Sequence, residues 1–148
     1  MTSGMAEACL PCEEPTIITQ KARIAQVPES FPSESCLGDV TWKTVISAPA
    51  TRTNSITAGY ATIAAGGGYL SPHRHENPEV YYITKGKGLM AIGGVEREVA
   101  AGDVIFVPGN VEHGIRTVVT GDDNAVDLEW FYVFAVDGFS QVKYVFPA

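Results

Sequence analysis

Several things are scarce in this chain, and each scarcity excludes something. Charge is thin, with 18% of the 148 residues charged, and acids outnumber bases 17 to 10, for a formal net charge of −7. Such a balance argues against non-specific binding to nucleic acid or to an anionic membrane surface, both of which would repel it. No run approaches the roughly 20 apolar residues needed to span a bilayer. The opening segment MTSGMAEACLPCEEP has no basic flank and no hydrophobic stretch, so it does not resemble a signal peptide and a cytoplasmic protein is expected. Cysteine is limited to Cys9, Cys12 and Cys36. Cys9 and Cys12 form one C-x-x-C pair, but no second pair completes a four-thiolate zinc site and no strand-to-helix context suggests a redox motif. The three glycines Gly66–Gly68 are followed by neither a P-loop lysine nor a helix signal, which leaves a turn and not a phosphate cradle. A convincing 3.6-residue repeat is also missing, beyond one short turn near residues 21–27.

What remains is a succession of short β-type runs with turn residues between them. Thr16–Ala22 reads as a short strand and residues 28–38 as a loop or arm. Val40–Ser47, Ser55–Ala64 and Glu79–Lys85 carry the β-branched and aromatic residues of strands. Gly93-Gly94 signals a hairpin between Leu89–Ile92 and Val95–Val99. Val104–Val107, His113–Val119, a long aromatic run Val126–Val136 and a closing run Gln141–Phe146 follow. Strands of this length and spacing indicate a sandwich or a barrel. One domain is expected, with residues 1–37 as tail and arm and residues 38–146 as the folded unit.

The chain has only three histidines, and all of them fall into one constellation. His73 and His75 are two apart, so in a strand both point to one face with Arg74 opposite. Glu79 follows a turn containing Asn77 and Pro78 and can return to that face. His113 comes 34 residues after Glu79 and can reach the same point from a neighbouring strand. Three neutral imidazoles and one carboxylate suit a single divalent transition metal, with Fe, Mn, Ni, Zn and Cu all compatible. A closed structural zinc site would use thiolates more often. The set leaves coordination positions open for water, dioxygen or a chelating substrate.

These residues also resemble the two motifs of the cupin superfamily. Gly67, His73, His75, Glu79 and Gly86 meet every spacing of the first motif, and Gly102, Pro108 and His113 meet those of the second. Asn110 stands where glycine is usual and Thr117 where asparagine is usual. Asparagine tolerates left-handed backbone, so the first departure is mild; the second alters packing or polarity without removing a ligand. The resemblance implies an all-β fold, a cupin-type double-stranded β-helix or jelly-roll barrel, holding one metal ion on His73, His75, Glu79 and His113.

Superfamily membership does not fix a reaction. The expected function is a metal-dependent enzyme acting on a small oxygenated or carboxylated organic molecule by lyase, decarboxylase, isomerase or cyclase chemistry. An Fe(II) dioxygenase and a non-catalytic ligand-binding or sensor domain are the alternatives. Tyr81, two residues beyond Glu79, should share the ligand face. Some small cupin lyases that split a sulfonium propionate place a base there. Tyr82 should face outward. Glu129 shares a strand face with Phe131 and Val133, and becomes a proton relay if that face is inward. Arg52 and Arg116 are candidate anchors for an anionic substrate. A homodimer is expected, because the strands carry more apolar surface than so few charges can cover.

Overall fold

The computed structural model describes residues 15–148. The Cys9–Cys12 pair lies outside the described residues. The first described element is a helix, α1 (Gln20–Ala25). Thr19 caps it by accepting a hydrogen bond from the Ala22 amide at 3.1 Å, which satisfies one of the free N–H groups of the first turn. The strand expected at residues 16–22 does not form: Ile17 and Ile18 lie in irregular chain without a partner strand among the described residues, and a short helix starts at Gln20 behind the Thr19 cap.

Ten strands follow: β1 (Glu29–Ser30), β2 (Thr41–Ile46), β3 (Thr57–Ile63), β4 (Tyr69–His73), β5 (Glu79–Lys85), β6 (Lys87–Ile92), β7 (Val95–Ala100), β8 (Val104–Val107), β9 (His113–Arg116) and β10 (Leu128–Phe134). They form a six-stranded sheet in the order β1-β2-β3-β10-β5-β8 and a four-stranded sheet in the order β4-β9-β6-β7. Every named pairing is antiparallel. The expectation of a closed jelly-roll barrel is corrected here: the fold is an all-β, cupin-like double sheet. Neither ladder returns to its starting strand. One ends at β1 and β8, the other at β4 and β7. Beyond these ladders the described residues form only the isolated bridges Gly38–Leu70 and Arg74–Val145.

The inner face of the large sheet supplies most of the core. Along β10, Leu128, Trp130, Tyr132 and Phe134 are buried, while Glu129, Phe131 and Val133 are half-buried on the outer face. This is the period-two alternation of a strand covered mainly on one side. On β5 the same alternation buries Tyr81 and leaves Tyr82 45% exposed. The N-terminal segment partly covers the outer face. The Arg23 guanidinium lies over the Tyr60 ring at 4.1 Å, and the Lys43 ammonium donates to the Arg23 and Ile24 carbonyls at the end of α1. A cation at a helix C-terminus meets the negative end of the backbone dipole.

The two departures from the motifs are both accommodated by backbone geometry. Asn110 adopts φ 64°, the left-handed conformation that glycine would otherwise supply. Asn110→Gly should therefore change stability little, whereas Asn110→Val should cost about 1–2 kcal/mol; chemical denaturation of the two variants checks this. Thr117 is buried, and its hydroxyl donates to the Ala64 carbonyl at 2.6 Å and accepts from the Gly67 amide at 2.9 Å. It clamps the turn that leads into β4. Thr117→Val keeps the shape but takes the hydroxyl from the Gly67 amide and leaves the Ala64 carbonyl with the Gly68 amide alone, so a loss of about 1–3 kcal/mol in unfolding free energy is expected.

Toward the C-terminus, the expected strand at 141–146 is replaced by one 3-10 turn (Phe139–Gln141) and an extended strap. Among the described residues, the strap's backbone pairs only at the bridge between Val145 and Arg74, which exchange two hydrogen bonds of 2.8 and 2.9 Å. Among the described residues no helix is long and apolar enough to cross a membrane.

Candidate functional site

The sequence constellation is assembled from both sheets. His73 ends β4 and pairs directly with His113, the first residue of β9, in the small sheet. Glu79 opens β5 in the large sheet. His75 lies between them, just past the Arg74 bridge, and its carbonyl accepts the Asn110 amide at 2.7 Å. That bond ties the segment carrying the first two histidines to the loop that delivers the third. Gly109 lies against the Glu76 carbonyl so closely that a Cβ there would overlap it.

Candidate ligand atoms of His73, His75 and His113 all lie within 4.8 Å of one another, and all three residues are buried. Glu79 Oε2 is 3.2 Å from His75 Nε2 and 3.4 Å from His113 Nε2. Two donors at right angles, each about 2.1 Å from one ion, are themselves about 3 Å apart, so these separations suit neighbouring ligands.

Tautomers are set by the backbone. Each imidazole Nδ1–H donates to a carbonyl two residues away: His73 to Ser71 at 2.8 Å, His75 to Asn77 at 2.7 Å and His113 to Val111 at 2.9 Å. A carbonyl can only accept, so each ring carries its proton on Nδ1 and turns an Nε2 lone pair inward. His73 Nε2, His75 Nε2, His113 Nε2 and Glu79 Oε2 are all buried without a hydrogen-bond partner among the described residues. Four converging acceptors with no donor between them are costly unless a cation satisfies them. The residues present therefore fit a divalent metal.

Burial, followed by the neighbouring His113 imidazole, lowers His73 to about 3. His73 is thus neutral, as a ligand must be. In metal-free protein its contribution to stability is complete above the ordinary value near 6.5 and is lost as the pH falls from there toward about 3. The expected slope is about 1.4 kcal/mol per pH unit for one such group, measurable by denaturant titration of the metal-free protein across that window.

A cavity of about 160 Å³ lies against this cluster. Glu79 and Tyr81 contribute to its wall, together with Trp130 and Tyr144. Phe31, Trp42, Tyr132 and Phe139 line it as well. Tyr81 is 1% exposed, stacks on Trp130 at 5.3 Å and meets His113 edge-on at 6.3 Å. Burial first, then the Glu79 carboxylate, pushes its phenol well above the ordinary range.

Other sequence candidates fall elsewhere. Glu129 lies on the outer face of β10, where its carboxylate accepts the Thr84 hydroxyl at 2.8 Å, so the structure does not bring the expected relay to the cavity. The strand alternation that faces Tyr132 inward faces Glu129 out. Arg116 is exposed and forks onto Glu96 at 2.9 and 3.0 Å, and Arg52 does not line the cavity. Cys36 is free and exposed.

Sequence reasoning missed Tyr144, whose ring stacks on His73 at 4.6 Å and an interplanar angle of 8°. The signal was the pair Tyr144 and Phe146, two residues apart in an extended run, which both reach the His73 ring.

Two facing sheets with a buried imidazole triad at one end define a metal-binding double-sheet protein. Residues 59–134 match the Cupin domain family, and the chain belongs to that family. It is 34% identical to the dimethylsulfoniopropionate lyase DddW of Ruegeria pomeroyi over 82% of this chain and 76% of that protein. Among solved structures it resembles the polyketide cyclase RemF of Streptomyces resistomycificus, with TM-score 0.68 and 19% identity, covering 89% and 88% of the two chains. It also resembles a predicted oxalate decarboxylase from Thermotoga maritima, with TM-score 0.64 and 24% identity over 77% and 96%. The site is consistent with a metal-dependent catalytic centre, on a chain related to cupin lyases.

Proposed function

We propose that this protein is a metal-dependent lyase that eliminates across the Cα–Cβ bond of a small carboxylate bearing a β leaving group, with dimethylsulfoniopropionate as the reference substrate. The observation that carries this reading is the placement of Tyr81: it follows Glu79 on one face of β5, and both line the small aromatic cavity. The similarity to DddW supports the substrate class. His73, His75, Glu79 and His113 would hold the ion. That ion would fix the substrate carboxylate, favour the phenolate of Tyr81 and stabilise negative charge developing at Cα.

Tyr81 accepts the proton from Cα. The C–H electron pair becomes the Cα=Cβ double bond, and the Cβ–S pair leaves with sulfur. The products are acrylate, dimethyl sulfide and, once Tyr81 is deprotonated again, one proton. The aromatic walls exclude bulk water, which strengthens the electrostatic effects within.

The test is incubation of the metal-loaded protein with dimethylsulfoniopropionate, reading acrylate by proton NMR and dimethyl sulfide in the headspace. Equal amounts of the two products are expected. Oxygen uptake without elimination would favour the Fe(II) dioxygenase alternative. Measurable affinity with the substrate left intact would favour a sensor.

The folded unit is proposed to pair as a homodimer. Edge strand β8 leaves Val104 and Phe106 68% and 63% exposed, beside the half-exposed Tyr82 on β5. An unpaired edge with an apolar face needs cover. Light scattering across a dilution series should give twice the chain mass; a stable monomer at tens of micromolar would contradict it.

A further inference from the structure

The cavity differs sharply from the surface in its charges. Among the described residues that line it there is no lysine, arginine or histidine, and Glu79 is the only ionisable carboxylate. An anionic group on a bound molecule would therefore find no side-chain cation along these walls, and only the metal would neutralise it. The opposite end of the same molecule would meet aromatic faces.

Those faces are set at angles to one another. Trp42 and Phe31 have ring centroids 5.1 Å apart at 58°, Trp42 and Phe139 6.2 Å apart at 42°, and Phe139 and Tyr132 6.0 Å apart at 40°. At these separations the rings pack on one another, and all four also line the cavity. The Tyr132 hydroxyl is bound to Thr44 at 2.8 Å, which fixes that ring and occupies its polar atom. Ring contacts lead from His73 to Tyr144 at 4.6 Å, from Tyr144 to Phe139 at 6.4 Å and from Phe139 to Trp42 at 6.2 Å, so two other rings intervene between Trp42 and His73 along this path.

We propose that Phe31, Trp42, Tyr132 and Phe139 form an aromatic cage for a cationic substrate head, so that the site selects small methylated onium carboxylates: carboxylate at the metal, onium in the cavity against the rings that line it. Aromatic faces attract a cation through their quadrupole. A methylated onium suits these walls better than a primary ammonium, whose N–H donors would be buried with few acceptors. The inference rests on the lyase reading for which end of the substrate meets the metal, and it adds the residues that recognise the other end.

A matched ligand pair tests it on metal-loaded protein. 3-(Trimethylammonio)propionate and 4,4-dimethylpentanoate have the same shape and carboxylate, and differ in whether the head is charged. Calorimetric titration should show the cationic ligand binding about tenfold more tightly, within the range of a desolvated cation–aromatic contact. Equal affinity, or tighter binding of the neutral ligand, overturns the cage.

Trp42→Leu should bring the ratio close to one with metal content unchanged. Trp42→Phe, which keeps an aromatic face and loses the indole N–H, should keep most of it. The Trp42 Nε1 hydrogen has no partner among the described residues. Loss of the ratio in Trp42→Phe would therefore assign recognition to that N–H and overturn the cage, as would a ratio surviving in Trp42→Leu. If Trp42→Leu does not fold, wild type and Trp42→Phe still decide. A tenfold ratio in a protein that forms no acrylate would support the cage while removing the lyase reading. Acrylate formation with no ratio would do the reverse.

Discussion

His75→Ala is expected to lose metal by more than about 100-fold in affinity, beyond the 10–100-fold cost of removing a ligand's hydrogen-bond partner. The substitution removes one of three imidazoles whose Nε2 atoms converge, and leaves Glu79 Oε2 without the neighbour 3.2 Å away. The fold should survive. His75 lies beyond the last residue of β4, and its ring neighbours His113 at 4.8 Å and Phe134 at 5.1 Å are held by the pairings of β9 and β10. Elimination should fall to background in proportion to bound metal. Dialysis against buffered zinc, with elemental analysis at each free concentration, measures the shift. Wild-type metal content in His75→Ala would remove that residue from the proposed ligand set.

Tyr81→Phe should separate proton transfer from metal binding. It deletes one oxygen and preserves the stack on Trp130 at 5.3 Å, so fold and metal content should be unchanged. If Tyr81 takes the Cα proton, turnover drops by roughly 10²–10⁴-fold, the usual contribution of a positioned acid or base. KM should move little, because the carboxylate and the onium are held elsewhere. A loss confined to KM would instead make Tyr81 a wall of the cavity. The wild-type phenol is pushed upward by burial and by Glu79, so metal-free enzyme is doubly disabled as a base. Adding metal back should restore activity to the wild-type protein and not to the Tyr81→Phe variant.

The metal cluster was legible in the sequence because it depends on spacing alone. A separation of two positions between His73 and His75 puts both rings on one face, and the pairing of His73 with His113 follows from folding β9 back beside β4. Alternation also gave the opposite orientations of Tyr81 and Tyr82. Glu129 was ambiguous for a physical reason: β10 is aromatic on both faces, so composition could not say which one is inside. Partial cover by the N-terminal segment explains why the outer face carries Phe131. The barrel expectation failed on closure, which is decided by edge pairing and not by the number of strands. The expected strand Gln141–Phe146 pairs at a single bridge and spends its side chains on the cavity and the His73 ring. Contacts of that kind join residues some 70 apart in sequence and leave no local periodicity to read.

The central claim is a metal centre of three imidazoles and one carboxylate beside the cavity, with Glu79 in the cavity wall. X-ray absorption at the metal edge, on protein of known metal content, tests it most directly. One ion per chain is expected, with nitrogen and oxygen neighbours near about 2.1 Å, the multiple scattering of about three imidazoles and no sulfur. Thiolate scattering, or an ion retained in full after His73, His75 and His113 are all replaced by alanine, would contradict it.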